Sequence, residues 1–266
     1  MDDQKKRELL LSAEGLRCEK DPASCVGFLT LDRPPLNVVS FKTRTQISSL
    51  LEEMDQDDDI RVIVIRGANG VFSSGGDIGE FLEIEPGGMA DLAWDMAAPE
   101  RCSKPVIAVL EKYAMGMALE LALACDFRIA TEPTVLALPE IHLGSIPGSG
   151  GTQRVARMAG LGRAKEMIML GRQIAASEAL DWGLLTEVVP EGSLDEAVAR
   201  WLEDIKARPS IPLATLKEVL NETCNTSLAA GLELEGQAFE KLRFNPEFKH
   251  GIESFLAKKK PDFSAI

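Results

Sequence analysis

Leu138-Pro-Glu-Ile-His-Leu-Gly-Ser-Ile-Pro-Gly-Ser-Gly-Gly-Thr-Gln-Arg154 is the stretch on which the reading of this chain turns. Between Pro133 and Gln153, Glu140 is the only acid and His142 the only other titratable side chain. A carboxylate taken out of water costs several kcal/mol unless it pairs, takes up a proton or is kept for a task. Glycines this dense let the backbone approach a ligand closely. Two familiar glycine motifs fail here. A phosphate loop needs Gly-Lys-Ser/Thr, which does not follow, and a nucleophile elbow needs glycine where Pro147 precedes Ser149. His142 reads as a packed or surface imidazole. With His250 the only other histidine, no zinc constellation assembles.

Toward the N-terminus stands a second lone acid, Glu120, in Tyr-Ala-Met-Gly-Met-Ala-Leu-Glu-Leu-Ala-Leu-Ala-Cys, residues 113 to 125. The pattern is strand, turn, helix. A helix starting near Gly116 or Met117 leaves first-turn amides unpaired and puts Glu120 about one turn further on. The plainer alternative is a core helix whose glutamate is tied to a buried arginine from elsewhere. Upstream again, Val71-Phe-Ser-Ser-Gly-Gly-Asp-Ile-Gly-Glu80 follows a strand and opens a helix. N–H groups near Gly76 and Asp77 there suit an anion or a developing oxyanion. The plainer reading is a tight turn with Asp77 as the helix cap. No Gly-x-Gly-x-x-Gly forms at that junction, so a dinucleotide fingerprint is absent.

Around these motifs, strands are expected at Val26–Leu31, Arg61–Arg66, Val106–Leu110 and Phe127–Ala130, the second because Val62-Ile63-Val64-Ile65 is β-branched without interruption. An amphipathic helix is expected from about Ser40 to Asp55, on the spacing of Ile47, Leu50, Leu51 and Met54. Further helices are expected from near Asp77 and over Met89–Cys102, separated by the breaker Pro86-Gly87-Gly88. Beyond about residue 150, helical patterns run near 151–159, 162–170, 176–182, 193–207, 210–225, 228–243 and 246–257. Thr186–Val189 is the single strand expected there. The fold class is therefore α/β with a helical C-terminal part, and no internal repeat is visible.

Composition sets the outer limits. The chain has 266 residues, 45% hydrophobic and 27% charged, as in a globular protein with a sizeable core. A net charge of −13 argues against nucleic-acid binding, which needs a broad basic surface. Its five cysteines are scattered without a Cys-x-x-Cys pair, which reads as reduced thiols in a cytoplasmic setting, with Cys125 packed in the core. No leader-like or membrane-spanning apolar run is expected.

The three motifs, in this order and spacing, resemble the enoyl-CoA hydratase/isomerase (crotonase) superfamily. The likeness runs from Leu31-Asp-Arg-Pro-Pro-Leu-Asn37 to Gly171-Arg-Gln-Ile-Ala-Ala-Ser-Glu-Ala-Leu-Asp-Trp-Gly-Leu-Leu185 and the basic tail, and is most specific at 139–154. The resemblance implies a spiral of ββα units over 1–200 with the acyl-CoA site, and a helical region over 201–266 used in trimerisation, as a homotrimer or a dimer of trimers. It implies an acyl-CoA thioester substrate, no metal and no redox cofactor, coenzyme A being part of the substrate. The amides of Gly76 and Met117 match the pair that binds the thioester oxygen in the family. Glu120 and Glu140 match the two hydratase glutamates, and Gly148 a water-positioning residue. Leu36, Asp77, Ile78 and Gly79 match the segments lining the coenzyme A groove.

Departures from the family pattern are local. Gly116-Met117-Ala118 stands where hydratases read Gly-Gly-Gly, a frequent lysine is replaced by Gly79, and the Arg33–Asn37 loop is one residue shorter. The implied reaction is addition of water to a 2-enoyl-CoA, with Glu140 giving the α-proton and Glu120 activating the water. Alternatives are enoyl-CoA isomerisation, hydration of a cyclic or branched dienoyl-CoA, and a non-catalytic acyl-CoA- or RNA-binding relative.

Overall fold

The computed structural model describes residues 7–13, 15–83, 89 and 91–263. The chain divides into two compact units, Met1–Cys102 with Val106–Val198 and Ser103–Pro105 with Ala199–Ile266. In the first, β1 (Glu8–Ala13), β2 (Gly15–Asp21) and β3 (Val26–Asp32) form an antiparallel meander. Helix α1 (Phe41–Gln56) and strand β4 (Val62–Gly67) follow, then the short helices α2 (Leu92–Met96) and α3 (Ala98–Arg101). Next come β5 (Val106–Leu110), β6 (Tyr113–Met115), α4 (Met117–Ala124), β7 (Phe127–Thr131) and β8 (Val135–Ala137). The series ends with α5 (Gly151–Met169), β9 (Ile174–Ala175), α6 (Ala176–Asp181) and β10 (Glu187–Val189).

The large sheet runs β1-β2-β3-β4-β5-β7-β10, parallel from β3 onward, and a small sheet runs β6-β8-β9. Two successive turns of chain each lay one strand in the large sheet, one in the small sheet, and then a helix. β5-β6-α4 and β7-β8-α5 are two such ββα units, the spiral expected from the resemblance. Strand β5 is buried at every position and β4 at all but one, as β-branched runs covered on both faces should be. Helix α4 is buried at every residue, which its unbroken apolar sequence requires. Ser40 caps α1, its hydroxyl accepting the Thr43 N–H at 3.1 Å.

From α7 (Leu194–Lys206) onward the chain is helical: α8 (Ser210–Glu222), α9 (Leu228–Leu242) and α10 (Pro246–Leu256). Within the second unit, Glu247 in the first turn of α10 accepts the Ser210 and Ile211 N–H groups at 2.8 and 3.0 Å, capping α8 from outside. No helix among the described residues is long and apolar enough to cross a membrane.

Several expectations need correction. Strand β2 was not expected because Arg17, Glu19 and Lys20 interrupt its apolar signal, nor was β1, whose Leu9-Leu10-Leu11 shows no alternation. In the fold Leu16 and Cys18 face the core while Arg17 pairs with Glu19 and Asp32. The helix expected over Met89–Cys102 is two short ones, divided just before Pro99, which sits at the start of the second. The breaker Pro86-Gly87-Gly88 lies outside the described residues. The helix expected from Asp77 is a single 3-10 stretch, Ile78–Leu82. Thr186–Val189 contains β10, yet β9 also follows residue 150. The break expected between 159 and 162 is present, since Gly160 at φ 82° and ψ 159° kinks α5 into two helical stretches.

Candidate active site

Three chain segments end side by side. Ser73 bridges Ala114 of β6 in parallel, with Ser73 N–H donating to the Tyr113 carbonyl at 3.0 Å and Met115 N–H returning to Ser73 at 3.3 Å. On its other side β6 pairs with β8 and Gly116 N–H donates to the Ala137 carbonyl at 2.9 Å. Three residues past the paired Ser73 and Ala114 the chain reaches Gly76 and Met117, so the two amides stand at the same register on neighbouring segments.

Neither amide finds an acceptor among the described residues. At Gly76 the ladder with Val39 uses the flanking groups instead: Val39 N–H donates to Gly75 and Asp77 N–H donates to Val39, each at 2.9 Å. That corrects the expectation for Asp77, whose amide is consumed. Its carboxylate is occupied too, accepting the Gly79 N–H at 3.2 Å and pairing with Arg33 at 3.0 Å. At Met117 the N–H belongs to the first turn of α4, where no intrahelical acceptor exists. Gly116, at φ 54° and ψ −131°, turns the chain from strand to helix in a conformation closed to side chains.

The two acids approach these turns from opposite sides. Glu120 is 1% exposed, and its Oε1 accepts the Ser149 and Gly151 N–H groups, both at 2.8 Å. Those donors belong to the glycine-rich turn before α5, where Gly150 at φ 103° curls the backbone around the carboxylate. Burial pushes the Glu120 carboxyl up, while the Gly151 and Ser149 amides and the charges of Arg44 and Arg154 pull it down. Glu140 opens a 3-10 turn after β8, and its Oε1 would lie 3.0 Å from a β-carbon added to Gly116. Its Oε2 is buried without a hydrogen-bond partner. Burial pushes Glu140 up to about 7, with the Glu120 charge adding to the rise and its own N–H and Arg44 opposing it. Burial thus raises both acids, and they differ in contacts: Glu120 is gripped as an acceptor, while Glu140 keeps one oxygen without a partner. An acceptor oxygen in front of Gly76 and Met117 would meet two free N–H groups beside both acids.

Other expected residues take clear places. The Leu36 carbonyl accepts the Ser74 N–H at 3.0 Å, which sets Leu36 beside the Gly76 loop. Leu36 and Ile78 both expose their side chains, at 37% and 56%. Gly148 is exposed with open space where a β-carbon would go. His142 is exposed, a surface imidazole with one edge of its ring beside Gly171. Among the described residues no group of His, Cys, Asp or Glu is arranged to hold a metal ion.

What the sequence did not reveal is the basic side of the site. Arg44, on the buried face of α1, donates to Ser149 Oγ at 3.3 Å. Arg154 grips Glu100 with two 2.7 Å bonds and donates to the Ser149 carbonyl at 2.9 Å. The available signal for Arg44 was its spacing: it falls three residues before Ile47 and seven before Leu51, on the apolar stripe.

Comparison with known proteins places this geometry. A sequence profile described as Enoyl-CoA hydratase/isomerase matches residues 21–265. A Bacillus subtilis (strain 168) protein named "Probable enoyl-CoA hydratase" is 38% identical over 250 residues, spanning 90% of this chain and 95% of its own. "Probable enoyl-CoA hydratase 2, mitochondrial" of Arabidopsis thaliana is 35% identical over 239 residues, covering 88% and 79%. The crystal structure of "Enoyl-CoA Hydrates Subunit I" from Geobacillus kaustophilus HTA426 superposes with a TM-score of 0.89 at 30% identity, covering 95% of this chain and 98% of that one.

Proposed function

Since the chain belongs to the enoyl-CoA hydratase/isomerase family, we propose that it adds water reversibly to the double bond of a 2-enoyl-CoA thioester. The observation that carries this reading is the unlike pair of acids: Glu120 is held by two amides, and Glu140, raised to about 7, keeps one oxygen without a partner. Hydration needs one acid to give a proton and one base to take one.

In the proposed reaction the thioester oxygen accepts the N–H groups of Gly76 and Met117, which hold the negative charge of the enolate. Glu120 takes a proton from water as the water oxygen bonds to the β-carbon, and the C=C electron pair moves toward the thioester oxygen. Glu140 then gives its proton to the α-carbon. The proton left on Glu120 returns to Glu140 through solvent, restoring the starting state. Losing one oxyanion donor costs about 3–4 kcal/mol in the barrier. Each general acid or base is worth roughly 10²–10⁴-fold.

The same reading assigns coenzyme A as the handle of the substrate, lying along Leu36 and the Asp77–Gly79 segment, and no resident metal or redox cofactor. Gly148 would orient the water through its backbone. Assembly as a homotrimer or a dimer of trimers is supported by the exposed Leu228, Phe239, Phe244 and Phe255 of the helical C-terminal unit. A cytoplasmic location is supported by cysteines that remain free thiols, and a net charge of −13 fits a protein with no nucleic-acid partner. Crotonyl-CoA and a 3-enoyl-CoA, assayed side by side, test the reaction. Hydrated product from crotonyl-CoA is expected, whereas conversion of the 3-enoyl substrate alone would make the enzyme an isomerase.

A further inference from the structure

Helix α1 buries Arg44 on the stripe that carries Ile47, Leu51 and Met54, leaving it 3% exposed. Desolvating a guanidinium there costs several kcal/mol unless its surroundings compensate. Its direct polar contacts are sparse. Nη1 reaches the uncharged Ser149 Oγ at 3.3 Å, and Nε is buried with no hydrogen-bond partner. Cζ lies 4.9 Å from the Phe41 ring centre and 5.8 Å from that of Phe81.

The charges around it are plentiful. Glu120 of α4 acts on Arg44 most strongly, then Glu80 of the 3-10 turn, Asp95 of α2, and Glu140. Arg154 of α5 faces Glu120 alongside it. Glu80 is already satisfied by the Phe41 N–H at 2.7 Å, and Asp95 accepts from Thr45 at 3.3 Å. The guanidinium also touches both halves of the site. Nη2 packs on Gly76, where an added β-carbon would come within 2.5 Å of it, while Nη1 holds the turn whose amides grip Glu120.

We propose that Arg44 is a positioning residue: it ties the Gly76 loop to the turn that grips Glu120, and its positive charge beside that turn favours the ionised form of Glu120. The inference rests on the acid–base reading of the two glutamates. Arg44 lies against the turn that grips Glu120, so its field falls on Glu120 more than on the half-buried Glu140. A neutral side chain of the same length would leave the packing and remove that field.

The test is a carboxyl titration by ¹³C NMR of the unliganded protein with labelled glutamate, E120Q and E140Q identifying the two signals. In R44M and R44Q both deprotonation steps of the pair move to higher pH, the lower step more, by about 1 pH unit or beyond, the usual effect of an adjacent opposite charge. R44K, which returns a cation, keeps the lower step near that of the unaltered protein. A lower step that stays in place in the folded neutral variants would overturn the proposal and leave Arg44 as packing alone. Crotonyl-CoA hydration by the unaltered enzyme is read separately. A moved step without hydration faults the assigned reaction, and hydration with an unmoved step faults Arg44.

Discussion

Replacing Glu140 with glutamine should make the folded protein more stable above neutrality while abolishing hydration. Burial raises the Glu140 carboxyl from its ordinary 4.5 to about 7, so between those values the folded chain binds a proton that the unfolded chain has released. Stability contributed by the protonated form is whole below the unfolded value and is lost as pH climbs through about 7. That interval of about 2.5 pH units corresponds to about 3.4 kcal/mol at 1.36 kcal/mol per unit. Part of the residue remains open to solvent, which screens the effect, and about 2 kcal/mol is a fair expectation. Glutamine has nearly the same shape and no charge to desolvate. The E140Q protein should therefore gain about 4–8 °C in melting temperature over the unaltered one at pH about 8.5, and little at pH about 4. Thermal melts at both pH values measure this. A melting difference that is the same at both would refute the reasoning, because the buried charge would then not be its source.

The remaining predictions concern single contacts. Met117→Pro removes one oxyanion N–H at a helix position that tolerates proline, so kcat should fall about 10²–10³-fold with α4 retained by circular dichroism; an unchanged kcat would move the oxyanion site elsewhere. Gly151→Ala sets a β-carbon 3.0 Å from Glu120 Cγ and Oε1 and 2.8 Å from Leu138, so turnover should drop roughly 10-fold or more as the acid is displaced, measured as kcat on crotonyl-CoA. Gly150→Ala forces an L-residue to φ 103° and drives its β-carbon into the Arg154 guanidinium, and a loss of at least about 2 kcal/mol is expected in urea melts.

The fold class and the long core strands were legible in this chain, while its smaller elements were not. Glu120 and Glu140 announce themselves because a lone acid in an apolar or glycine run is expensive, whereas the left-handed turns at Gly116 and Gly150 show only in the backbone angles. The long core strands were legible for the same physical reason, continuous β-branched burial. By contrast the small sheet was invisible: β6, β8 and β9 span only three, three and two residues, too few for any periodicity. With them went the internal repeat, since the ββα units share topology and not sequence. Strand β2 was masked by charges such as Arg17, which pairs with Glu19 along the strand and with Asp32 of β3. Arg44 was missed because helical spacing marks a residue as buried, while only the tertiary fold shows which acids it meets.

The pairing of Ser73 with Ala114 has a consequence for how such a site tolerates change. Adjacent strands lie about 4.8 Å apart and advance about 3.3 Å per residue, so the gap between the Gly76 and Met117 amides, the proposed oxyanion donors, is set by backbone spacing. Almost any side chain can therefore occupy position 117 while the donor stays put. Removing a single residue between Ser73 and Gly76 would slide one donor past the other and silence the enzyme with both carboxylates intact.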